Sequence, residues 1–304
     1  MGKRKKSAVL LLAHGSPDSA DDVPEFLLHV TGGRTLPSHV IDEVKQRYGL
    51  IGASPLARWT FEQRDALQRE LKFPVYVGMR NWKPFIADTV RTVIAESVEH
   101  VVAICMAPQN SRTSVGLYRS ALESSSGASL SVDFVESWHD HPLLIRAFAE
   151  KLQAGLNSAR REMTATIPVI FTAHSVPERT IADGDPYESQ AKETASLVAR
   201  ATALPAADWS FAFQSQGMSG GAWLGPRVED TILELKKKGH RYVFVQPIGF
   251  LCDHVEVLYD IDIGFKQFAE QEEMKLWRAE SLNGSPLLTA ALVDMATTRL
   301  AKAA

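Results

Sequence analysis

Residues 249–262, GFLCDHVEVLYDID, carry chemistry out of proportion to their length. An apolar run of strand character passes directly into Asp253, His254, Glu256, Tyr259, Asp260 and Asp262. If a helix begins there, Asp253, Glu256 and Asp260 fall at i, i+3 and i+7 and form one stripe along one face. Carboxylates so grouped repel one another unless a cation or a base offsets them. A helix start favours one acid through the macrodipole, which accounts for Asp253 but not for the whole stripe. The expected chemistry is therefore metal or proton handling.

Two histidines have the position to join it. TAHSVPER (172–179) places His174 at the end of an apolar strand, where it can face the acidic stripe across a cleft. A lone strand-end histidine is usually structural, but one beside clustered carboxylates suits a divalent first-row metal. LLLAHGSPD (10–18) supplies His14 in the same setting, with a turn histidine as the plain alternative. GDPY (184–187) reads as a turn and helix start, with Asp185 as its cap. QGMSGGAW (216–223) lacks the Lys-Ser/Thr sequel of a phosphate loop, so a nucleotide site there is weak.

The elements that must position these residues alternate regularly. Short apolar runs at 8–14, 73–79, 100–108 and 130–137, then at 167–175, 209–217, 241–250 and 274–281, have strand length. Helix patterns at 60–72, 84–98, 142–158, 187–203 and 226–238 lie between them. Continuous apolar strands separated by helices predict parallel sheets covered on both faces. The halves also look like copies: LLLAHGSP parallels IFTAHSVP, EHVVAICMAP parallels GHRYVFVQPIG, and VESWHDHPLL parallels AESLNGSPLL. Two similar α/β domains with four-stranded parallel sheets follow, with the site expected at strand ends in the interdomain cleft.

The segment 22–60 interrupts this alternation and can form a lip. Its Phe26 and Leu27, with Arg34, Arg47 and Tyr48, suit a large flat apolar ligand bearing carboxylates. The plainer alternative is a helical hairpin packed on the sheet.

Composition bounds the rest. The chain has 304 residues and a net charge of -3, which leaves no basic footprint for nucleic acid. Its two cysteines, Cys105 and Cys252, sit in apolar runs and read as buried thiols of a reducing cytosol. No apolar run approaches the roughly 18 residues of a membrane helix, and MGKRKK reads as a solvated tail. A cytoplasmic protein is expected.

With these motifs in place, the chain resembles the ferrochelatases, the metal-inserting enzymes of haem synthesis. TAHSVPER, GDPY, QSQG, WLGP and GFLCDHVEVLYDID stand in the family's order, and RYGLIGASPL and ESWHDHP also fit. The resemblance implies two Rossmann-like domains: 1–140 with 287–304, carrying the lip, and 141–286, carrying the main metal site. It implies His174 and Glu256 as catalytic residues and metal ligands, with Asp260 and Asp262 passing iron in or protons out. It further implies that porphyrin is held by His14, Arg34, Arg47, Tyr48, Ser54, Tyr118 and Trp223. No permanently bound cofactor and no iron–sulfur cluster are expected, and ferrous iron is a substrate. A monomer is expected, with enzymes of the haem pathway as candidate partners.

The lip resembles that of the soluble branch acting on coproporphyrin III, which is favoured over protoporphyrin IX. A sirohydrochlorin cobalt or iron chelatase and a non-catalytic porphyrin- or haem-binding protein are the further alternatives. The chain departs from its relatives in three places. His14 stands where the soluble branch commonly has an iron-ligating tyrosine, so His14 is expected to ligate the product iron. Gly264 falls where many relatives continue the acidic stripe. Thr31 and Gly32 replace arginines, leaving Arg34 as the nearby propionate partner.

Overall fold

The computed structural model describes residues 6–163, 165–216 and 221–302. The chain separates into two compact units: residues 1–108, 114–138 and 284–304 form the first, and 109–113 with 139–283 form the second. Residues 217–220 of the glycine-rich approach, and 1–5 of the basic tail, lie outside the described residues.

In the first unit, strand β1 (Ser7–Ala13) leads through helices α1 (Val23–Val30), α2 (Ser38–Ile51) and α3 (Leu56–Glu70) to β2 (Val75–Met79). Then come α4 (Ile86–Ala95), β3 (His100–Cys105), α5 (Val115–Ser126) and β4 (Ser131–Val135). The second unit begins with α6 (Pro142–Glu162) and β5 (Val169–His174), followed by α7 (Glu178–Ala182), α8 (Tyr187–Ala201) and β6 (Trp209–Gln214). It continues with α9 (Val228–Lys237), β7 (Tyr242–Pro247), α10 (Val255–Leu258), a π-helical turn over Asp260–Phe265, α11 (Lys266–Gln271) and β8 (Lys275–Arg278). The last helix, α12 (Pro286–Lys302), belongs to the first unit, where Thr289 donates to Gln63 of α3 at 2.8 Å.

Each unit holds one four-stranded sheet, all parallel, in the orders β2-β1-β3-β4 and β6-β5-β7-β8. The two orders are the same order, with β1 corresponding to β5. That is the duplication expected from the paired motifs. Both faces of each sheet are covered, so β1 and β5 are almost wholly buried along their length. Val and Ile pack well on such a pleated surface, and the helices supply the rest of each core. In the second unit that core gathers Ile170, Val243 and Val245 of the sheet with Val228, Ile232, Val257 and Ile261.

In each sheet the first strand of the unit lies beside its third, and the order reverses there. Ligands of open parallel sheets bind outside the strand carboxyl ends at such a reversal. His14 and His174 stand at those ends.

The units differ from the sequence reading by two or three residues at 138/139 and 283/284, and chiefly at residues 109–113, which that reading left in the first domain. The amide of Asn110 donates to Gln190 at 2.6 Å and that of Arg112 to Asp185 at 2.7 Å. Backbone donors satisfied by second-unit side chains hold the stretch there.

Candidate active site

His174 closes β5 and is fixed from both sides of its own peptide. Its Nδ1 lies against the Ser175 carbonyl. A carbonyl oxygen only accepts, so Nδ1 carries the hydrogen and Nε2 of the neutral ring presents a lone pair. The Tyr187 hydroxyl donates to the His174 carbonyl at 2.9 Å. Burial first, then the charges of Glu256 and Asp185, push the Tyr187 phenol upward, so it remains a donor. The chain returning from β7 crosses directly over this strand end. A Cβ on Gly249 would lie 2.8 Å from the Ala173 Cβ, and only glycine permits that approach.

Glu256 lies opposite the ring. Its Oε1 is 3.7 Å from His174 Nε2, and its Oε2 is 3.8 Å from Nε2 of His254. The His254 Nδ1 faces the Cys252 carbonyl at 3.0 Å, so it too carries the hydrogen. Two imidazole lone pairs thus face one carboxylate, acceptors against an acceptor. A proton or a metal ion between them removes the conflict. His174 and Glu256 are each one-third exposed, so the pair is open to a reactant. Both residues belong to the second unit; the sequence reading had set them across a cleft from opposing halves.

The acidic stripe is not a stripe. Helix α10 spans only Val255–Leu258, after which the backbone widens into the π-helical turn, and the i, i+3, i+7 arithmetic fails with it. Asp253 precedes the helix and accepts from the Ser281 hydroxyl at 2.7 Å and the Asn283 amide at 2.8 Å. Asp262, expected on the metal path, receives both arms of the Arg278 guanidinium, at 2.8 and 2.9 Å. Arg278 also reaches Asp253 at 3.4 Å. Burial pulls the Arg278 guanidinium down, but the two aspartates outweigh it and the net shift is upward. The cation that offsets the clustered carboxylates is therefore a protein arginine. Asp260 accepts from the Ser215 hydroxyl. Of the four expected ligands, His174 and Glu256 face each other directly, whereas Asp262 is taken up by Arg278. Among the described residues, no three His, Cys, Asp or Glu side chains form a closed metal cage.

The ferrochelatase family profile matches residues 6–300. The chain belongs to the ferrochelatase family. A ferrochelatase from Acidobacterium capsulatum is 51% identical over 97% of this chain and 95% of its own length. A coproporphyrin III ferrochelatase from Geobacillus sp. is 34% identical over 98% of this chain and 99% of its own. In fold, the chain is similar to the sirohydrochlorin chelatase SirB from Bacillus subtilis subspecies spizizenii in complex with cobalt. That likeness has a TM-score of 0.61 at 9% identity and covers 98% of this chain and 96% of the other.

The remaining expected positions of this ferrochelatase are placed as follows. In the second unit, Trp223 bridges Pro177, beside the turn that follows His174. In the first unit, His14 directs Nδ1 to the Gly15 carbonyl at 3.0 Å, while its Nε2 accepts from the Asn81 amide at 2.9 Å. His14 therefore shares the tautomer of His174, with an amide where His174 has a carboxylate. Phe26 packs edge-on against His14, with ring centroids 5.8 Å apart. It is buried, so that part of the lip is core. Tyr48, Ser54 and Tyr118 are buried, Arg47 pairs with Glu43 at 2.6 Å, and Arg34 is exposed.

Sequence reasoning passed over several residues that hold the pair. Tyr187 was read as part of a helix start, although it anchors His174. Gln214, next to Ser215 in QSQG, donates to the Glu256 carbonyl at 2.9 Å. Arg278 lies on β8, beyond any local pattern. The usable signal was QSQG itself, a polar cluster at a strand end. The two thiols take no part: burial, with Asp253 beside it, pushes Cys252 up to about 12, and burial raises Cys105 as well. Neither offers a thiolate near neutral pH.

Proposed function

We propose that this ferrochelatase inserts ferrous iron into coproporphyrin III, with His174 and Glu256 receiving the protons the ring gives up. The observation that carries the reading is the His174–Glu256 pair, with the imidazole lone pair turned toward the carboxylate. Free porphyrin plus ferrous iron gives the iron porphyrin and two protons. A neutral imidazole accepts the first proton at Nε2, and the adjacent carboxylate stabilises the imidazolium. Glu256 receives the second, or the first by transfer, and Asp260 near it continues the acidic surface. Iron, a substrate here, meets the same lone pairs, and an imidazole with a carboxylate suits a ferrous ion. Binding that distorts the ring exposes its nitrogen lone pairs and resembles the transition state.

Several relatives carry the name coproporphyrin III ferrochelatase, which supports that ring over protoporphyrin IX. Arg34, Arg47, Tyr48, Ser54, Tyr118 and Trp223 are the proposed porphyrin contacts. Anaerobic assay with ferrous iron tests the choice. Coproporphyrin III is expected to turn over at least tenfold faster, by kcat/KM, than protoporphyrin IX or sirohydrochlorin. A reversed order would assign the chain to another substrate, and tight porphyrin binding with no metalloporphyrin would make it a carrier.

We propose His14 as the axial ligand of the product iron. Its Nε2 must exchange the Asn81 hydrogen bond for the metal, and Asn81 is buried and fixed by its own amide to the His14 carbonyl at 3.0 Å. His14→Ala is expected to shift the visible bands of the bound ferrous product; an unchanged spectrum removes His14 from the coordination sphere.

A further inference from the structure

Arg80 follows directly on β2. The ladder with β1 continues through it, since its amide donates to the Ala13 carbonyl at 3.0 Å and that of Asn81 to the His14 carbonyl at 3.0 Å. Leu12 pairs with Gly78 and Ala13 with Met79, so strand alternation puts Arg80 on the face of Leu12 and Gly78. That face carries the core shared with α4 and α5, including Leu10, Leu12, Ile86, Val115, Leu122 and Tyr118. Arg80 thus stands at the carboxyl edge of the sheet, over the end of that core, one strand from His14.

Its chemistry there is incomplete. The Nε atom is buried and has no hydrogen-bond partner. Among the described residues no carboxylate pairs with the guanidinium. Burial lowers the Arg80 pKa, and the nearby Tyr118 hydroxyl offsets this only in part. A half-buried guanidinium without an anion is unfavourable for the fold, and selection for stability alone replaces it. The planar guanidinium is made for a carboxylate, taken in bidentate fashion. A phenol hydroxyl close by supplies one more donor.

We infer that Arg80, together with Tyr118, receives a carboxylate of the porphyrin substrate, one of its propionate side chains. The inference rests on the porphyrin reading above and extends it to a residue with no place in that reading. It makes Arg80 a substrate-binding residue that is uncompensated only while the ring is absent. It also gives the buried Tyr118 side chain a polar role at the end of an apolar core.

The test measures equilibrium binding by porphyrin fluorescence, with coproporphyrin III and its tetramethyl ester in the same dilute non-ionic detergent. Arg80→Met is expected to weaken the free acid about tenfold or more and to leave the ester unchanged. Arg80→Lys should fall between, keeping charge without the fork. The thermal midpoint of the ligand-free Arg80→Met protein should rise, because an unpaired buried charge has gone. Equal losses for acid and ester, no loss for the acid, or a lowered midpoint would each overturn the inference and make Arg80 structural. Repeating the comparison with protoporphyrin IX and its dimethyl ester separates the two questions. Arg80 is judged on whichever ring the wild-type protein metallates, whereas a wild-type protein that metallates neither ring overturns the function and the inference together.

Discussion

His174→Ala is expected to lower iron insertion about a thousandfold while leaving the fold and porphyrin binding in place. The fold should survive because the ring itself carries little of it. Tyr187 bonds to the main-chain carbonyl of residue 174, which alanine retains, and the side chain is one-third exposed. What disappears is the lone pair at Nε2, a base 3.7 Å from Glu256. Glu256→Gln should match the loss by a different route. A glutamine amide donates to the facing imidazoles, so the two lone pairs are occupied and the negative charge is removed. Rates come from anaerobic formation of the metalloporphyrin absorbance with ferrous iron, and binding from porphyrin fluorescence. If the first proton passes from His174 to Glu256, the two residues act as a unit and the double variant should be little slower than either single one. Activity within tenfold of wild type in either single variant would remove that residue from the reaction.

The second large effect is on stability. Arg278→Met should destabilise the protein by about 3–5 kcal/mol, the usual cost of leaving buried charge without its partner. The Arg278 side chain is only 12% exposed and serves both Asp253 and Asp262. Those aspartates flank Glu256 on either side, so insertion should fall along with stability. Urea unfolding measures the first and the anaerobic assay the second. Adding Asp253→Asn and Asp262→Asn to Arg278→Met should recover most of the stability, since neutral amides tolerate burial better than lone carboxylates. A single variant within 1 kcal/mol of wild type, at the low end for losing a buried partner, would mean that the salt bridge holds nothing in place.

The strands were legible because each is a continuous apolar run closed by Pro, Gly or His, and a buried parallel strand has little freedom to look otherwise. The pairing of copies was legible for the same reason, since AHGSP and AHSVP close corresponding strands. His174 was legible as a histidine at a strand end, and Glu256 as one acid of the cluster that follows β7. The arrangement around them was not. Spacing arithmetic presumes 3.6 residues per turn, and the π-helical turn at Asp260–Phe265 breaks that assumption where it mattered most. The partner of Asp262 is sixteen residues away on β8, a relation that only the tertiary fold creates. Tyr187 acts through a backbone atom, to which no side-chain pattern points.

The orientation of the two imidazoles beside Glu256 governs how charge can leave. Each ring has its Nδ1 hydrogen bound to a peptide oxygen of its own neighbourhood. An amide oxygen is too weak a base to take that hydrogen onward, so neither ring can work as a two-ended shuttle. What enters at Nε2 must depart by the same atom, and the Glu256 carboxylate stands beside it. On the proposed reading, with His174 and Glu256 receiving the protons of the ring, that traffic runs through a single exit, and turnover is then no faster than the glutamate empties.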